Sequence, residues 1–130
     1  MSNQTFVAVY GTLLSGQPNN YLLEQYVGDT RCLGKGKSMF FGTMYSNGGF
    51  PILSLLEPEH KVEVEVYVVG DTTLRDLDRL EGYPEWYTRS IRTFKMDTGE
   101  EVKAYIYHQD IDRNLPIVPN GDWKTYVESK

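Results

Sequence analysis

The sequence predicts an α+β fold in which mostly antiparallel strands outnumber the helices. Three observations carry that prediction. Lys61–Val69 (KVEVEVYVV) alternates Val62, Val64, Val66 and Val68 with Glu63, Glu65, Tyr67 and Val69, the period-two pattern of a strand. Thr88–Met96 and Glu101–His108 are two further strand-like runs around Asp97-Thr98-Gly99, a hairpin turn with glycine where positive φ is wanted. Leu74, Leu77 and Glu81 stand at i, i+3 and i+7, which places them on one face of a helix.

In chain order, Thr5–Tyr10 (TFVAVY) reads as a buried strand that runs into the glycine-bounded loop Gly11–Gly16. Asn20 can cap a short helix through about Val27, with Leu22, Leu23, Tyr26 and Val27 facing inward. Gly28–Lys37 reads as an irregular link into a strand at about Ser38–Tyr45. Asn47-Gly48-Gly49 signals a turn, and Phe50-Pro51-Ile52-Leu53 enters an edge strand after it. Lys61–Val69 is expected to be a central strand. Gly70-Asp71 turns it into the Leu74–Glu81 helix, where Leu80 joins the apolar side and Arg75, Asp76, Asp78 and Arg79 form the polar one. Gly82 ends that helix and Pro84 prevents its resumption. Pro116, Pro119, Asn120 and Gly121 punctuate the C-terminal segment. The tally is roughly five to seven strands and about two short helices, without repeats or linkers.

A chain of 130 residues is one domain, 1–130, large enough for a sizeable core. Its formal charge of −5 gives no electrostatic reason to expect nucleic acid or an anionic membrane as partner. The one cysteine, Cys32, excludes an intramolecular disulfide and a thiolate metal cluster. His60 and His108 add no recognisable metal-ligand spacing, so no metal is expected. MSNQTFVAVY carries no basic region or lipidation motif, and no apolar stretch approaches a membrane span. The expectation is a cytoplasmic, soluble protein.

Glu81 is the candidate site residue that periodicity singles out. Acidic side chains are favoured at the first turn of a helix, yet Glu81 falls at the last turn beside leucines. Dipole and desolvation there disfavour the charged form and raise its pKa, which makes a general acid or base for neutral pH. A partly exposed glutamate that merely follows the last leucine has the same pattern. Val9-Tyr10-Gly11-Thr12-Leu13 carries a similar pair of readings. It is either a tight turn off a strand or a nest of N–H groups that binds a carboxylate, with Gly11 allowing close ligand approach. No GxSxG elbow is present, and both histidines read as surface residues at strand ends. Tyr105 and Tyr107 straddle Ile106 and share a sheet face, as half-buried strand residues or as phenols lining a polar site.

Six segments occur in order: VYGTL (9–13), GGFP (48–51), VEVYVV (64–69), LDRLEGYPEWYTR (77–89), AYIYH (104–108) and NGDW (120–123). Together they resemble the γ-glutamylcyclotransferase-like family, most closely its γ-glutamylamine cyclotransferase branch, over nearly the whole chain. The resemblance implies a compact mixed β-barrel with short rim helices. It also implies cofactor-free cleavage of a small-molecule γ-glutamyl amide to 5-oxoproline and a free amine. The glutamate of the LDxLEG-type motif, here Glu81, is then the acid/base. The YGTL loop, here Tyr10, Gly11, Thr12 and Leu13, binds the glutamyl moiety, and Tyr87 and Tyr107 lie near the substrate. A non-catalytic module that binds γ-glutamyl ligands on the same fold is the alternative. Neither the leaving amine nor the oligomeric state is legible in these motifs.

Overall fold

The computed structural model describes residues 4–24, 29–110 and 114–129. Among them the strands are β1 (Thr5–Val9), β2 (Thr30–Ser38), β3 (Thr43–Ser46), β4 (Pro51–Ser54), β5 (Glu63–Val69), β6 (Thr88–Met96) and β7 (Glu101–His108). Helix α1 spans Asp71–Glu81 and α2 spans Trp123–Glu128, with short 3-10 helices at Asn20–Leu23 and Pro119–Gly121. Five strands close into a barrel in the order β1-β5-β2-β6-β7. Every barrel pair is antiparallel except β1 with β7, whose parallel register (Val7 opposite Tyr105, Ala8 opposite Ile106) closes the ring. The β3–β4 hairpin forms a separate two-stranded sheet. No helix among the described residues is long and apolar enough to cross a membrane.

The valine stripe of β5 is buried as its alternation requires, and Glu65, Tyr67 and Val69 on the other face are buried too. β5 sits between β1 and β2, so it is covered on both sides of its ladder. Hydrophobic burial around it, with Val7, Leu53, Leu77, Phe94, Ile106 and Trp123 each 2% exposed or less, is the main force holding the barrel closed.

β2 differs from expectation. Its residues include the stretch 30–37 read as irregular, and the next strand starts only at Thr43. The glycines that suggested a link have positional reasons. The register shifts between Cys32 and Gly34, and Gly34 takes φ +124° at that bulge. A Cβ on Gly36 would stand 2.8 Å from the Lys95 carbonyl of the neighbouring strand. The expected Asn20–Val27 helix is only the 3-10 turn Asn20–Leu23, with no side-chain cap. Instead the Asn20 amide donates to the Leu13 carbonyl at 2.8 Å. Tyr26 and Val27 lie outside the described residues.

Both histidines also depart from the surface role expected of them. His60 Nε2 accepts the Met44 N–H at 3.2 Å, and its Nδ1 lies 2.9 Å from the Lys61 carbonyl. His108 is 3% exposed, with Nε2 2.7 Å from Ser90 Oγ and Nδ1 2.8 Å from Asp110 Oδ1. That Asp110 oxygen also accepts the Leu55 N–H at 2.8 Å. The Ser90–His108–Asp110 line therefore ties β6 and β7 to the end of β4, and none of the three lines a cavity described below.

α1 is fixed at both ends. Its N-cap, Gly70, has no side chain, and Asp29 substitutes from a distance by accepting the Thr73 N–H (3.1 Å) and hydroxyl (2.6 Å). At the C-terminus Gly82 takes φ +67°, and Gly82 and Tyr83 donate to the Arg79 and Asp78 carbonyls, the two bonds of a Schellman motif. Leu77 is fully buried, whereas Leu80 is 41% exposed and leaves the apolar side expected of it. Replacing Leu77 by Ala should lower the unfolding free energy by about 2–5 kcal/mol in denaturant titrations, because the surrounding core cannot fully collapse. A loss below about 1 kcal/mol would show that α1 is not packed as described.

Candidate active site

Strand directions decide which side chains meet at one rim of the barrel. β1 and β7 run parallel, so their C-terminal ends lie together. Antiparallel pairing sets Glu65 opposite Val9 and Thr88 opposite His108. The loop after β1, the start of β5, the end of β7 and Tyr87 before β6 thus converge, and α1 ends shortly before Tyr87. There a cavity of about 380 Å³ is lined by Tyr10, Gly11, Thr12, Leu13, Glu81, Tyr87 and Tyr107, all seven residues expected at the site.

Glu81 is the last residue of α1, and its side chain has no hydrogen-bond or ion partner among the described residues. Burial raises its pKa from 4.5 to about 7. The phenols in the same cavity are differently placed. The Tyr10 hydroxyl donates to the Tyr107 carbonyl (2.8 Å), that of Tyr87 to the Pro51 carbonyl (3.3 Å), and that of Tyr107 to Asp78 Oδ1 (2.6 Å). Burial raises the Tyr10 pKa, with the nearby Tyr87 and Glu81 adding to it. Burial raises that of Tyr107 also, followed by the hydrogen bond and charge of Asp78. Among these cavity groups Glu81 is the one poised to exchange a proton near neutral pH.

The loop carrying Gly11–Leu13 is held from below by a residue that sequence reasoning placed only on the face of β5 opposite the valine stripe. Glu65, 4% exposed, accepts the Ser15 N–H at 2.9 Å, the Ser15 hydroxyl at 2.8 Å and the Tyr67 hydroxyl at 3.0 Å. Asn19 bonds Thr12 Oγ1 at 2.9 Å, and its N–H reaches the Thr12 carbonyl at 2.8 Å. The N–H groups of Gly11, Thr12 and Leu13 have no acceptor among the described residues. Gly11 has a steric reason different from the expected ligand approach. A Cβ there would stand 2.5 Å from the ring of Pro51, on the β3–β4 hairpin.

Asp78 was expected on the polar face of α1, yet it organises the other side of the cavity. Arg89 clamps it through Nε (2.8 Å) and a second guanidinium nitrogen (3.2 Å), while Tyr107 donates to the same carboxylate. Burial pulls the Arg89 pKa down, but the Asp78 hydrogen bond and charge more than offset it, so the guanidinium stays charged. Its plane also lies over the rings of Tyr83 and Tyr105, each 4.5 Å from centroid. The signal for this clamp was the spacing of Asp78 and Glu81, which puts both at one end of the helix. Phe50 and Trp86, which also line the cavity, were quoted within motifs and not recognised as site residues.

The site is thus a half-buried glutamate without a partner among the described residues, in a rim cavity of a closed five-stranded barrel. The family described as Gamma-glutamyl cyclotransferase, AIG2-like matches residues 7–125, and the chain belongs to it. A Methanocaldococcus jannaschii protein named as a putative gamma-glutamylcyclotransferase is 34% identical over 121 residues, covering 93% of this chain and 97% of that one. A gamma-glutamylaminecyclotransferase of Rattus norvegicus is 32% identical over 112 residues, covering 78% and 75%. The crystal structure of an AIG2-like protein from Mus musculus superimposes with a TM-score of 0.80 at 25% identity, covering 92% and 89%. The chain is accordingly an enzyme of the γ-glutamylcyclotransferase-like kind.

Two outcomes follow for the site as folded structure. Gly11→Val should destabilise the protein by about 1–3 kcal/mol, since Pro51 must move to admit the side chain. An unchanged melting curve would show that the hairpin is not seated on Gly11. Glu81→Gln should act with a definite pH dependence. Because the folded pKa is raised, the native state binds more protons than the unfolded one between pH 4.5 and about 7, and stability falls as pH rises across that window. The Gln variant lacks this loss, so it should exceed the parent by up to about 3 kcal/mol above pH 7. The gap should vanish below pH 4.5, as read by denaturant titrations at several pH values.

Proposed function

We propose that the protein converts a γ-glutamyl amide to 5-oxoproline and a free amine, with Glu81 moving the proton. The observation that carries this reading is the unpartnered Glu81 carboxyl in the cavity, with its pKa pushed up to about 7. The substrate's α-ammonium gives its proton to the Glu81 carboxylate. The freed α-amine then attacks the γ-carbonyl carbon, and a new C–N bond closes the five-membered ring. The original amide C–N bond breaks as Glu81 returns the proton to the departing nitrogen. The ring nitrogen then gives up its second proton through the same carboxylate to the released amine, which leaves as an ammonium ion. Atoms balance without water, and one carboxylate serves as base and then as acid.

The loop and the phenols support the same reading. The N–H groups of Gly11, Thr12 and Leu13 suit the α-carboxylate of a folded-back glutamyl chain, and such a pose favours ring closure by orientation. Tyr10, Tyr87 and Tyr107 form rigid walls, because their hydroxyls are already bonded to the protein. A module that only binds γ-glutamyl ligands would gain nothing from an unpaired, partly desolvated carboxylate, whose charged form is costly to hold away from water.

In an assay for 5-oxoproline release, Glu81→Gln should lower turnover by about two to four orders of magnitude, with the fold intact by circular dichroism. The parent enzyme's kcat/KM should rise with pH through an apparent pKa of about 7, since the base form must be present in the free enzyme. Full turnover by the Gln variant would assign the proton transfer to another group, with Tyr87 and Tyr107 next in line.

A further inference from the structure

The substrate cavity does not end at the glutamyl site. A second cavity of about 430 Å³ shares three of its walls, Phe50, Trp86 and Tyr87, and continues to Ile52 and Leu115, with the amides of Asn47 and Gln109 beside them. Two of the shared walls are exposed aromatics: Trp86 is 68% exposed and Phe50 36%. Leu80, 41% exposed, adds to the lip of the first cavity. Large apolar side chains left in water at the mouth of a site mark a surface that a ligand covers.

Trp86 is also held in place. Its N–H donates to the Gly82 carbonyl at 2.8 Å, and its own carbonyl accepts from the Gln109 amide at 3.1 Å. The exposed indole is therefore presented from a fixed backbone, so little ordering opposes stacking against it. Charge narrows the ligand further. Among the described residues Glu81 is the one ionisable acid or base with a full charge available in either lining. Among the described residues no lysine or arginine lines either cavity to pair with a carboxylate on the leaving group, and burying such a group unpaired is costly.

We infer that the amine released from the substrate has an uncharged apolar body, alkyl or aralkyl. That body lies across Phe50 and Trp86 into the second cavity, and the inference rests on the cyclotransferase reading of the first. Glutamyl group and leaving group then occupy adjoining compartments, with the scissile bond beside Glu81. Amides of amino acids, whose leaving group carries a carboxylate, fit the second compartment poorly.

Binding and turnover separate the two readings. Calorimetry on Glu81→Gln should give γ-glutamylbenzylamide a Kd at least about tenfold below that of γ-glutamylglycine, as expected for burying several apolar carbons. Adding Trp86→Ala should bring the two Kd values to within about threefold of each other. Equal Kd values in Glu81→Gln, or a preference for the glycine amide, would overturn the apolar compartment whatever the parent enzyme turns over. A benzylamide preference that survives Trp86→Ala and Phe50→Ala together would overturn it as well. If the preference holds but the parent releases no 5-oxoproline from either amide, the apolar compartment stands and the cyclotransferase reading falls.

Discussion

The parallel pairing of β1 with β7 is the constraint on which the rest of the molecule depends. Every other barrel contact is antiparallel and alternates strand ends between the two rims. This one pair brings two C-terminal strand ends to the same rim, so the Gly11–Leu13 loop and Tyr107 become neighbours. Parallel neighbours cannot be joined by a tight turn, and here nearly the whole chain lies between them. The intervening strands therefore form the wall between the two strands that meet at the mouth.

Within that frame a buried glutamate, Glu65, and a half-buried one, Glu81, show how environment divides roles. Glu65 is surrounded by donors from Ser15 and Tyr67, and it anchors the loop that follows β1. Glu81 meets no donor among the described residues and pays for burial with a raised pKa. The contrast follows from local structure. Glu65 lies mid-sheet against a loop rich in N–H and hydroxyl groups, whereas Glu81 ends a helix whose terminal turn offers carbonyls. Asp78, one turn earlier, is satisfied by Arg89 and Tyr107 and leaves Glu81 as the acid free to titrate.

Legibility in the sequence followed how local each signal was. The β6–β7 hairpin and the end of α1 at Glu81 were readable to the residue, because turn glycines and helical spacing act over a few positions, whereas α1 starts at Asp71 and not at Leu74. β2 was not, since its glycines answer to a bulge and to the Lys95 backbone on a neighbouring strand. His108 was misplaced for the same reason: its partners come from β6 and from beyond β7, not from its own flanks. At the site, the spacing that placed Glu81 on the leucine side of α1 is local. The convergence of Glu81 with the loop after β1 rested on the family resemblance, and the second cavity had no sequence signal at all.

The central claim is that Glu81 is a carboxyl poised to take and return a proton near neutral pH. Its side-chain carboxyl carbon, followed by nuclear magnetic resonance through a pH titration and assigned by its loss in Glu81→Gln, reads that property directly. A midpoint of about 7 is the result expected from a half-buried carboxylate without a partner. A midpoint at 4.5, the value of an ordinary glutamate, would mean that solvent or an ion pair stabilises the charge, and the proton-transfer role would have to be withdrawn.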